Sequence, residues 1–192
     1  MKKWFVIFLL FSAAFCLPAW GIDLDFQKDL PAELLNRSGQ KISTETALKG
    51  KIVAVYASAS WCGPCRAFTP KLVDFYKAVA KKTPMELIFI SSDKSSDAMM
   101  RYMKKDSMPW LAIPYDSPER EALKKKLQIR GIPNLFVFDA RGKMISSNAR
   151  WDVVMLGKKA VQEWKKADYK PLTYQDYQKK NDRKKDKRSR RK

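Results

Sequence analysis

Two apolar, β-branched runs stand out along the chain: KIVAVYAS at residues 51–58 and MELIFIS at 85–91. Continuous apolar runs of this length predict strands buried on both faces. Between them Phe68, Leu72, Phe75, Tyr76 and Val79 recur at helical spacing, so a helix is expected from Cys62 to Lys81, kinked at Pro70. Ser95 or Ser96 can cap a further helix to about Lys105. The stretch PWLAIPY, 109–115, is extended and limited by its two prolines. Ser117 before Pro118 predicts a helix to Leu127. Residues 134–147 alternate as two strands around a turn at Asp139–Gly142, and Val153–Lys166 is amphipathic, with Gly157 as its interruption.

Before the first strand, Asp29-Leu30-Pro31 predicts a short helix through Leu35, and Asn36-Arg37-Ser38-Gly39 a turn. Thr44–Lys49 forms a second short turn or helix, ended by Gly50. Strand–helix alternation followed by a hairpin implies an α/β fold, with a central mixed β-sheet and helices on both faces. The handedness of parallel crossovers leaves few ways to wind it. The pair Cys62/Cys65 then falls just past the carboxyl end of the first central strand, where such sheets place their ligands.

Both ends of the chain differ from this middle. Lys2 and Lys3 precede an apolar stretch from Trp4 to Phe15, and Ala19-Trp20-Gly21 supplies small residues at the two positions read by a signal peptidase. Residues 1–21 therefore read as a cleaved secretory signal, and the protein as exported, periplasmic or otherwise extracytoplasmic. An uncleaved anchor helix is the alternative, although the apolar run is short for a span of about 20 residues. Lipid attachment at Cys16 is disfavoured by bulky Phe15. The domain proper is expected at 22–166. Residues 165–192 hold thirteen Lys or Arg against four Asp and few large apolar residues, so 167–192 is expected to be a disordered basic tail.

Charge and composition narrow the chemistry. The 192-residue chain carries a formal net charge of +19 and contains three cysteines and no histidine. Catalysis by Ser-His-Asp or Cys-His is excluded, as is any zinc site that needs imidazole. Signal cleavage would remove Cys16 and leave Cys62 and Cys65. A bridge between such close neighbours closes almost no loop and stabilises little. Two thiols also fall short of the about four ligands of a closed zinc site, so no metal is expected. Redox chemistry is the favoured reading, with the dithiol itself as the only cofactor.

In that chemistry the thiolate is the nucleophile. Cys62 sits at the expected start of a helix, where free N–H groups and the helix dipole favour an anion. Arg66 adds positive charge nearby. Cys65, one turn further in, is expected to be more buried and protonated. Cys62 would attack a partner disulfide, and Cys65 would resolve the mixed disulfide. Gly63-Pro64 sets the turn between them, and Trp61 shields one side. Ile132-Pro133, before the penultimate strand, offers either a cis peptide with a backbone edge beside the sulfurs or a trans proline opening an edge strand.

Taken together, YASASWCGPCRAFTPKL, ISSD, MPWLAIPY and IRGIPNLFVFDARGK resemble the thioredoxin superfamily, and within it the tryparedoxin and nucleoredoxin branch. The similarity spans about residues 35–155. It implies a thioredoxin fold, attack by Cys62, resolution by Cys65 and a cis Pro133. The chain departs from the pattern in three ways. Gly63-Pro64 stands where tryparedoxins carry two prolines, and leans towards a reducing function. Tyr56 replaces the buried Asp of thioredoxins, which leaves Asp93 as a candidate proton acceptor for Cys65. The export-like N-terminus is unlike these relatives and leaves the electron donor unidentified.

The leading expectation is thus an exported monomer that reduces disulfides in other proteins. The competing one is a binding protein whose basic tail meets an anionic membrane surface or other polyanion. Tyr169, Tyr174 and Tyr177 offer rings that could stack on bases, but export disfavours a nucleic-acid partner. Met99, Met100, Met103 and Met108 fit packing better than soft-metal binding. Pro109-Trp110 fits either the substrate surface or the core, and Lys124–Lys126 a solvated helix face.

Overall fold

A computed structural model describes residues 22–190. The N-terminal reading, including the signal, the anchor alternative and Cys16, lies outside the described residues. Seven strands form one sheet: β1 (Glu33–Leu35), β2 (Lys41–Ser43), β3 (Ile52–Ser58), β4 (Met85–Ser91), β5 (Leu111–Ala112), β6 (Asn134–Phe138) and β7 (Met144–Ser146). Their order is β2-β1-β5-β4-β3-β6-β7. The central pairs β3–β4 and β4–β5 are parallel, whereas β6 runs antiparallel to β3. The helices are α1 (Thr44–Leu48), α2 (Gly63–Val79), α3 (Ser96–Lys105), α4 (Pro118–Lys126), α5 (Arg150–Leu156), α6 (Ala160–Trp164) and α7 (Tyr174–Ser189). This is the expected mixed sheet with helices on both faces.

Strand alternation sorts the core into two layers. Ala54, Tyr56, Leu87 and Phe89 face α2, α3, α5 and α6. Val53, Val55, Ile88 and Ile90 face α1, α4 and the lead-in segment. Trp110 is 1% exposed and packs edge-on to Tyr56 and Tyr76, so it belongs to the core and not to the substrate surface. Met99, Met103 and Met108 are fully buried in the same layer, and Met100 packs against it. In the lysine run of α4, Lys124 pairs with Glu121 and Lys126 with Asp29.

The structure departs from the sequence reading in three places. Residues expected to form a helix through Leu35 instead give β1, paired antiparallel with β2 and, at Leu35, with β5. Burial of Leu34 and a partner edge decide the state of so short a segment. The helix expected over Val153–Lys166 starts at Arg150 as α5, and Gly157 (φ 54°) breaks it, a short 3₁₀ turn intervening before α6. The third departure is the basic tail. Asp152, fully buried, accepts from Trp164 Nε1 and from Leu172 N at 3.0 Å each, which fastens the chain beyond residue 166 onto α5. Within the tail expected to be disordered, Tyr174–Ser189 is helical as α7. Thr173 and Asp176 form a reciprocal cap at its start, and Trp151 covers Tyr174 and Tyr177 with ring centroids 5.1 and 5.0 Å away. Good helix formers plus this aromatic anchorage outweigh the cost of ordering a polar segment.

Candidate active site

β3 ends at Ser58, and a short loop carries the chain to Cys62, the N-cap of α2. Cys62 has extended backbone (φ −82°, ψ 109°), and its Sγ accepts from Cys65 N at 3.2 Å. One N–H of the helix's first turn, that of Cys65, thus points at this sulfur, while Arg66 N donates to the Cys62 carbonyl. Pro64 lies in the first turn, where its missing N–H costs nothing. Cys62 and Cys65 are joined as a disulfide, with their Cα atoms 5.2 Å apart. Cys62 keeps 6% of its surface exposed and Cys65 none. The outer sulfur is therefore the one a partner can reach.

The Ile132–Pro133 peptide is cis. Ile132 packs on Ala59, Cys62 and Cys65, and its carbonyl oxygen lies 3.8 Å from Cys62 Sγ. A segment 70 residues away in sequence so forms one wall of the site. Trp61, 57% exposed, forms another, with its Nε1 donating to Ser92 O at 3.1 Å. Gly63 is exposed, and a Cβ there would meet nothing within 4 Å, so packing does not demand glycine at this position. Arg66 is exposed in a cleft between α2 and α3 that also contains Arg101, Lys105 and Asp106. Burial raises the carboxyl pKa of Asp106, and the charges of Lys105 and Arg66 oppose that rise.

Asp93 is close to the site in a different capacity from the one expected. Its Oδ1 accepts from Ser60 N (2.8 Å) and Ser60 Oγ (2.6 Å), and its Oδ2 from Ser91 Oγ (2.8 Å). Tyr115 donates to its backbone carbonyl at 3.0 Å. Asp93 thus accepts from Ser60 and Ser91 and tethers the Trp61–Cys62 loop, and none of its hydrogen bonds is with Cys65.

Behind the cysteines lies a group of hydroxyls that sequence reasoning missed. Thr69 Oγ1 donates to the Cys65 carbonyl at 2.9 Å and lies 2.8 Å from Tyr56 Oη and 2.7 Å from Tyr102 Oη. Ser58 Oγ is 3.2 Å from Tyr102 Oη. Burial pushes both phenols above their ordinary pKa, so they stay neutral. Tyr56 therefore fills the place of a buried acid without supplying a base. The i, i+4 relation of Cys65 and Thr69 was visible in the sequence, but the approach of Tyr102 from α3 was not.

The part of the chain that carries this pair is similar to known proteins. The Thioredoxin-like family model matches residues 50–144. Tryparedoxin II from C. fasciculata superposes with a TM-score of 0.64 at 39% identity, covering 69% of this chain and 92% of that one. The chain belongs to the thioredoxin superfamily, in its tryparedoxin and nucleoredoxin-like branch. Probable nucleoredoxin 1 of Arabidopsis thaliana is 40% identical over 116 residues, 60% of this chain and 20% of that protein. Nucleoredoxin of Bos taurus is 38% identical over 137 residues, 70% of this chain and 31% of that protein. The chain thus spans a third or less of the length of these two nucleoredoxins.

Proposed function

We propose that the protein is a thiol–disulfide oxidoreductase that reduces disulfides in other proteins. The observation that carries this reading is the asymmetry of the pair. Cys62 caps α2 and reaches the surface, whereas Cys65 is sealed beneath it. In the reduced protein the Cys62 thiolate attacks one sulfur of a client disulfide, and the other client sulfur leaves as a thiolate. Cys65, on losing its proton, attacks Cys62 Sγ and expels the second client sulfur. Two electrons pass to the client, and the Cys62–Cys65 disulfide remains. A dithiol donor must then reduce that bond to complete the cycle. Both electrons reside on the two sulfurs, so the reading requires no further cofactor.

The exposed indole of Trp61 and the Ile132 carbonyl edge frame the place where an extended client segment can lie. The pattern of the first 21 residues supports a working place outside the cytoplasm. Fractionation of cells and the mass of the mature N-terminus test that part separately.

Turnover of insulin disulfides with dithiothreitol as donor tests the chemistry. Cys62→Ser is expected to abolish it, and Cys65→Ser to accumulate a mixed disulfide through Cys62. Full activity in Cys62→Ser would rule the reading out.

A further inference from the structure

We propose that α7 is a docking element for an anionic lipid surface, held on the domain by an aromatic clasp. Lys179, Lys180, Arg183, Lys184 and Lys187 recur at i, i+3 and i+4 spacing and line one groove beside Met155, with Asp176 as its only carboxylate. Lys179, Arg183, Lys184 and Lys187 form no ion pair with any described residue. Asp176 is engaged by Thr173 in the helix cap. The stripe therefore presents positive charge that the fold itself does not neutralise.

The helix is fixed to the domain at two points. Tyr174 and Tyr177 lie on Trp151, whose other neighbour is the Arg150 guanidinium, 4.9 Å from the ring. One turn further along both helices, Lys180 Nζ donates to Met155 O at 2.8 Å. α7 thus runs in the same direction as α5, and the two contacts set its rotation. Charge held in one array loses less entropy on meeting a charged surface than the same residues would on a free tail.

The same clasp decides between partners. Single-stranded nucleic acid is gripped by rings that stack on bases. Here Tyr174 and Tyr177 lie against Trp151, with Tyr174 keeping 51% of its surface exposed, and Tyr169 packs on the core. What remains on the stripe is cationic and non-stacking, which suits headgroup phosphates. The helix has no continuous apolar face that could insert into a bilayer, so binding would be electrostatic and reversible by salt.

The test is co-sedimentation of the full chain with phosphatidylcholine vesicles, with and without phosphatidylglycerol, over a salt series. Three forms are compared: wild type, K179E/R183E/K187E, and K71E/K77E/K81E. The last makes the same charge change at exposed positions of α2 and the turn that follows it. All carry the same N-terminal segment, and Lys180 is left in its clasp. Binding to anionic vesicles at low salt should weaken on the order of 100-fold in the α7 variant and far less in the α2 variant, since each basic residue near the surface contributes about 1 kcal/mol. Insulin reduction should be unchanged in both, which shows that they fold. Equal losses in the two variants, no loss in either, or wild-type binding to anionic vesicles that high salt leaves unchanged would overturn the proposal. So would tighter binding to single-stranded DNA than to vesicles at the same salt, or displacement by inorganic phosphate at matched ionic strength. Loss of insulin reduction in Cys62→Ser leaves this result unaffected, so the two proposals fail separately.

Discussion

Asp93 holds Ser60 twice, accepting from its backbone N–H at 2.8 Å and from its hydroxyl at 2.6 Å. Ser60 immediately precedes Trp61 and Cys62, so this buried carboxylate anchors the loop that presents the attacking sulfur. Asp93→Ala is expected to cost about 3 kcal/mol of stability, because it removes hydrogen bonds to a charged acceptor and orphans the Ser60 N–H. Asp93→Asn, which keeps one acceptor, should lose less. Urea unfolding of the two variants measures the difference, and equal stability of Asp93→Ala and wild type would contradict the tether.

Thr69 sits at the centre of the hydroxyl group behind Cys65. Thr69→Val preserves shape but leaves Tyr56 Oη and the Cys65 carbonyl without this partner. A loss of about 1–3 kcal/mol is expected, with Thr69→Ser close to wild type. Thermal melts of both variants check the ranking. A Thr69→Val protein as stable as Thr69→Ser would mean that these hydroxyls do not support the helix under the site.

Gly142 holds the lead-in segment to the hairpin. It has φ +85°, and a Cβ there would lie 1.8 Å from Leu24 O. Leu24 N in turn donates to Gly142 O at 2.8 Å. Gly142→Ala should therefore cost more than about 2 kcal/mol, combining left-handed backbone strain with displacement of the Leu24 strap. Raised proteolysis near residue 24 is the expected accompaniment, and unchanged protection there would argue against the strap.

Glu86 supplies a pH prediction. Burial raises its carboxyl pKa above the ordinary 4.5, outweighing the donors Tyr76 and Leu87 N and the nearby Lys51. A carboxyl whose folded pKa is raised binds more protons in the folded state, so it lowers stability as pH rises through the folded value. Glu86→Gln keeps an acceptor for Tyr76 and carries no charge. It should melt higher than wild type at pH 7, with the gain shrinking as pH falls through the folded value and gone below about pH 4.5. A gain that grew on acidification would reverse the sign and refute the assignment.

Much of this was legible in residues 51–147, because long apolar runs and a capped helix have one stable solution. The position of Cys62 at the helix start followed from the end of the apolar run at Ser58. What escaped the sequence was set by contacts between distant segments. The three residues of β1 depend on an edge offered by β5, some 75 residues away. Asp93 was read as an acid near a thiol because Ser60, its actual partner, is 33 positions distant. The disorder expected of the tail rested on its composition, whereas Trp151 and Asp152 supply the anchorage from outside it.

The central claim is that its place at the start of α2 makes Cys62 a thiolate near neutrality. Its most direct test is the pH dependence of iodoacetamide alkylation in the Cys65→Ser variant. The account predicts an apparent pKa for Cys62 below the about 8.5 of a free cysteine, and alkylation at neutral pH faster than in an unfolded peptide of the same sequence. A midpoint at or above 8.5, with a rate no faster than the peptide's, would contradict it.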